Sequence, residues 1–141
     1  QSYGIASRGG FSKSEVIISS SEIIFQQVEN PDIIVVLSEE AANLYNKCNN
    51  SIVIYDSDLV SAPKGKNWLG AAFTQAALDL GDPALINIVV LGSLVQVSPF
   101  VKVDSLEAAI AHKFGSNRNN LKALQKGIQM GSVLRGGEAK C

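Results

Sequence analysis

The residues best suited to contact chemistry stand at the start of the chain. Gln1-Ser2-Tyr3-Gly4 is followed by Arg8-Gly9-Gly10, and Ser2, Ser7 and Ser12 add hydroxyls. Gly4, Gly9 and Gly10 allow positive φ and a close backbone approach to another surface. The Arg8 guanidinium presents a fork of donors that matches a carboxylate or a phosphate. This is the composition of a contact loop for an anionic group. It is equally the composition of a glycine-rich surface turn with a solvated arginine, and on composition alone the turn is the simpler reading.

No other stretch carries comparable chemistry. Glu39 and Glu40 directly follow Ser38, where an N-cap and two carboxylates at the positive end of a helix explain them. Asp56 and Asp58 follow a predicted strand, a position where α/β enzymes often place ligand contacts. Asp-Ser-Asp is also a good turn, and that is the simpler reading. His112 is the sole histidine. It lies off the apolar stripe of its helix with no acid or nucleophile beside it, which marks a solvated residue rather than a catalytic base. Cys48 and Cys141 are the two cysteines, and they are not spaced to hold zinc or an iron–sulfur cluster. Nothing suggests secretion, so a reducing cytoplasm is the expected setting; Cys48 reads as a small core residue. With no Ser/His/Asp or Cys/His arrangement, no P-loop and no metal-ligand cluster, a catalytic domain acting alone fails.

The elements that must position these residues read as an α/β domain. From Ser12 the pattern alternates, and Lys13, Glu15 and Val16-Ile17-Ile18 predict a strand that starts exposed and ends buried. Ile33-Ile34-Val35-Val36-Leu37 is apolar on both faces, as in a strand covered on both sides of a parallel sheet. A helix follows from Ser38, with Ala41, Leu44, Tyr45 and Cys48 on one face, and Asn49-Asn50 stops it. Ser51-Ile52-Val53-Ile54-Tyr55 is the next strand, completing a βαβ unit. Residues 61–66 predict a loop or short edge strand with solvated lysines. A helix then carries Leu69, Ala72, Phe73, Ala76 and Leu80 as one stripe and stops at Gly81. Asp82-Pro83 starts another helix through Gly92. Asp104 predicts an N-cap, with Glu107 in the capping-box position and Leu106, Ala109, Ile110 and Phe114 as the buried stripe. The last helix buries Leu121, Leu124 and Ile128, with Gly127 a weak point unless something packs closely there.

The totals bound the rest. At 141 residues the chain is one domain, read as residues 1–134 with a mobile tail over 135–141. Charged residues are 18%, below the ~25% typical of soluble domains, which suggests that something other than water covers part of the surface. A net charge of −1 offers no footprint for nucleic acid or an anionic membrane. The uncharged run 84–101 is long enough to span a bilayer. Its Asn87, Gln96, Ser98 and Pro99 predict a buried helix and turn instead, so no membrane partner is expected. Gln1 stands without a methionine or a charged leader, so the start is expected to be a truncation rather than a signal peptide.

A resemblance covers almost the whole chain in order. Gln1-Ser2-Tyr3-Gly4, Arg8-Gly9-Gly10 and Ser12-x-Ser14-x-Val16-x-Ile18-Ser19 resemble the signature of gamma subunits of 2-oxoacid:ferredoxin oxidoreductases. So do Asn30-Pro31-Asp32 with Ser38-x-Glu40-Ala41, and Asn87-x-x-x-Leu91-Gly92-Ser93-Leu94. Ser105-Leu106-Glu107-x-Ala109, Lys113-Phe114 and Asn120-Leu121-x-Ala123-Leu124-x-x-Gly127 complete the series. The first block is most similar to the 2-oxoglutarate branch. The resemblance implies a Rossmann-like three-layer α/β sandwich with a mostly parallel sheet. It implies a heteromeric enzyme that decarboxylates a 2-oxoacid, captures the acyl group on coenzyme A and passes electrons to ferredoxin. Alpha, beta and delta subunits would be the partners and would carry thiamine diphosphate and iron–sulfur clusters; this chain alone would bind no cofactor or metal and hold no catalytic residue. Ser2, Tyr3, Gly4, Arg8, Gly9 and Gly10 would form a subunit or cofactor interface. One departure stands out, because the family's N-terminal strand and Gly-x-Gly-Gly-Gln-Gly turn are missing before Gln1. The alternative from another class is a free-standing nucleotide- or phosphate-binding α/β module without catalysis.

Overall fold

β-Branched and aliphatic residues at every position let a strand be covered on both faces, and two such runs build the centre of the sheet. The computed structural model describes residues 12–25, 27–61, 65–115 and 118–138. Strand β1 (Ile33–Val36) pairs in parallel with β2 (Ile52–Asp56), which pairs in parallel with β3 (Trp68–Ala71). Val35 stands opposite Ile54, and Ile54 opposite Leu69. The Ser51 hydroxyl donates to the Pro31 carbonyl at 2.7 Å and ties the two strand entries together.

Period-two alternation sorts the strand residues between two cores. Ile34, Val36, Val53 and Tyr55 face helix α1 (Glu39–Tyr45), where Ala42 is fully buried. Ile54, with Ile33, Val35 and Ile52 beside it, faces α2 (Phe73–Asp79), α3 (Ile86–Val97) and α5 (Arg118–Glu138). Helix, sheet and helix thus form three layers around a parallel sheet, as expected. A 3-10 turn, Pro83–Leu85, leads into α3, with the Asp82 carboxylate accepting the Ala84 N–H at 2.8 Å. Helix α4 (Val103–Phe114) lies at the periphery.

Helices α3 and α5 cross with their main chains in contact. A Cβ on Gly127 would overlap the Val89 carbonyl, and one on Gly92 would overlap the Leu124 carbonyl. The buried Ser93 hydroxyl donates to the Gly127 carbonyl at 2.7 Å. The weak point at Gly127 is therefore a packing requirement.

Several expectations change. Residues 12–25 form no strand, because alternation without a ladder leaves the backbone unpaired. Helix α1 ends at Tyr45, and Leu44 is 61% exposed. The helix expected from Leu69 begins only at Phe73, since Trp68–Ala71 joins the sheet. Asp104 lies inside the first turn of α4, whose cap position, Lys102, makes no side-chain bond. Of the α4 stripe, Ile110 is buried, whereas Ala109 and Phe114 are exposed. Helix α5 runs on through residues 135–138 of the segment expected as a tail.

Candidate functional site

In open parallel sheets, ligands bind at the carboxyl ends of the strands, where helix N-termini offer free N–H groups. Here that end of β2 is closed by the chain's own carboxylates. Asp56 is fully buried. Its Oδ1 accepts the Asp58 N–H at 3.0 Å, and its Oδ2 accepts the Thr74 N–H at 3.1 Å and the Thr74 hydroxyl at 2.6 Å. Asp58 Oδ2 accepts the Gln75 N–H at 2.8 Å. The Thr74 and Gln75 N–H groups in the first turn of α2 are thus met by Asp56 and Asp58, whose negative charges oppose a phosphate there. A turn was the expected role of these aspartates; capping α2 across the sheet is a second role.

Glu39 acts in the same way after β1. Its Oε2 accepts the Ser61 N–H at 2.9 Å and the Ser61 hydroxyl at 3.3 Å, which fastens the β2–β3 connection to the start of α1. Thr74, Gln75 and Ser61 were not singled out by sequence reasoning. The only available signal was Asp-x-Asp directly after a strand. Ser38 does cap α1, accepting the Ala41 N–H at 3.2 Å.

Ser2, Tyr3, Gly4, Arg8, Gly9 and Gly10 lie outside the described residues. The described chain begins beside them. The Lys13 ammonium pairs with the Glu15 carboxylate. Bonding to Lys13 holds the Glu15 carboxyl below the ordinary carboxylate range. Bonding to Glu15 and the nearby Tyr45 hydroxyl hold the Lys13 ammonium above its ordinary value. These contacts fasten residues 13–15 beside the last turn of α1.

His112 is exposed, as expected. Cys48 is a partly buried free thiol packed against the α1-side core. Among the described residues, no three His, Cys, Asp or Glu side chains gather as metal ligands. No helix among them is long and apolar enough to cross a membrane. One cavity, about 420 Å³, opens between the end of α3 and the start of α4 beside Phe100, Lys102, Asp104 and Arg135. Another, about 230 Å³, lies beside Cys48, Lys66 and Trp68. Neither holds an acid, a base and a nucleophile together.

Comparison with known proteins agrees along the chain. The subunit KorC of 2-oxoglutarate synthase from Methanocaldococcus jannaschii is 38% identical over 143 residues, covering 95% of this chain and 76% of KorC. KorC of Archaeoglobus fulgidus is 33% identical over 134 residues, covering 93% of this chain and 70% of that protein. This chain thus spans about three quarters of the length of such relatives. The crystal structure of a keto/oxoacid ferredoxin oxidoreductase gamma subunit from Geobacter sulfurreducens PCA superposes with a TM-score of 0.61 at 24% identity. That superposition covers 72% of this chain and 64% of the other, and it shows a shared fold. Residues 1–130 match the family described as pyruvate ferredoxin/flavodoxin oxidoreductase, and the chain belongs to that family.

Proposed function

We propose that this chain is the gamma subunit of a cytoplasmic 2-oxoglutarate:ferredoxin oxidoreductase. The enzyme decarboxylates 2-oxoglutarate, captures the acyl group on coenzyme A and passes electrons to ferredoxin. The observation that carries this reading is the 38% identity to a KorC subunit over 95% of the chain.

The chain's own chemistry supports a structural and regulatory role within the complex. Asp56 and Asp58 already fill the first turn of α2, so the described sheet end offers no phosphate cradle, which disfavours a free-standing nucleotide-binding module. Cys48 and Cys141 are the two cysteines of the sequence, and two thiolates do not supply the four that an iron–sulfur cluster takes. In this reading thiamine diphosphate and the clusters belong to alpha, beta and delta partners. The contribution of this chain is the loop of Ser2, Tyr3, Gly4, Arg8, Gly9 and Gly10. There Arg8 and neighbouring backbone N–H groups meet a phosphate of coenzyme A or a partner carboxylate.

Anaerobic purification of the tagged chain from its own cells, followed by native mass spectrometry, tests the proposal. The expected result is a heteromer with alpha- and beta-type subunits that reduces ferredoxin with 2-oxoglutarate and coenzyme A. Recovery as a lone monomer or homodimer would overturn it. Activity with another 2-oxoacid alone would overturn the substrate.

A further inference from the structure

We draw no further inference here: the strongest candidate, the cavity between the end of α3 and the start of α4 beside Lys102, Asp104 and Arg135, joins a helix N-terminus without a side-chain cap to two exposed cations, and no second observation among the described residues points to a ligand there.

Discussion

One carboxylate oxygen of Asp56 accepts both the backbone N–H and the hydroxyl of Thr74, at 3.1 and 2.6 Å, with Asp56 itself fully buried. The last residue of β2 therefore holds the first turn of α2 against the carboxyl end of the sheet. The other oxygen secures the turn to Asp58 at 3.0 Å. Removing the buried carboxylate takes the acceptor from three donors, on exposed Asp58 and half-buried Thr74, so Asp56→Ala should cost about 1–3 kcal/mol. Thr74→Val retains the backbone bond and removes only the hydroxyl, and should cost about 1–2 kcal/mol. Urea unfolding of the isolated chain measures both, and equal losses would contradict this geometry.

Gly127 separates helix propensity from packing. In an isolated helix, Gly→Ala gains about 1 kcal/mol. Here the new Cβ would overlap the Val89 carbonyl across the α3–α5 crossing. Gly127→Ala should therefore destabilise by about 1–3 kcal/mol. Gly136→Ala on the same helix meets nothing within 4 Å and should stabilise by a few tenths of a kcal/mol, less than the full propensity because it lies in the last turn. Thermal unfolding of the two variants should move in opposite directions.

The Lys13–Glu15 pair predicts a pH dependence with a definite sign. The Glu15 carboxyl is depressed first by its bond to Lys13, so its contribution is present above the unfolded carboxyl pKa and is lost as pH falls through the folded value. The Lys13 ammonium is raised first by its bond to Glu15. Its contribution is present below the unfolded lysine pKa and is lost as pH rises through the folded value. Both groups are at the surface, and salt should weaken the pair. Carboxyl NMR titration reads this directly, and Lys13→Ala should move the Glu15 midpoint upward toward the ordinary range. An unmoved midpoint would mean that the pairing does not persist in solution.

These residues also show which parts of the fold were legible. Ile33–Val36 and Ile52–Asp56 are visible because β-branched runs without polar interruption suit a two-sided parallel sheet, and Ser38 announces α1 through its capping chemistry. Strand β3 is hidden, since Trp68-Leu69-Gly70-Ala71 is four residues long and runs into a helical stripe. Its identity depends on β2 and on the Tyr55 ring, which occupies the space beside Gly70 and meets Trp68 at 5.6 Å between ring centres. The turn at Asp56 is local and legible, whereas its bonds to Thr74 cross eighteen positions and no local pattern carries them. Two amphipathic signals failed for one reason. Phe114 at the end of the α4 stripe and the alternation over 13–18 are apolar, but no other element of the described chain covers them. Periodicity reports that a face needs covering, not what covers it.

Arg8 tests the proposed role of the N-terminal loop. A guanidinium bonded to a phosphate or a partner carboxylate contributes through two parallel charge-assisted bonds that a lysine cannot reproduce. If Arg8 meets coenzyme A, Arg8→Ala in the assembled enzyme should raise the KM for coenzyme A about ten-fold or more, with the KM for 2-oxoglutarate unchanged. Arg8→Lys should recover part of that loss by retaining the charge. If Arg8 meets a partner carboxylate instead, assembly weakens and the KM of the complex that does form is normal. The two results distinguish a cofactor contact from a subunit contact, and an enzyme unaffected in both respects would return the loop to an ordinary glycine-rich turn.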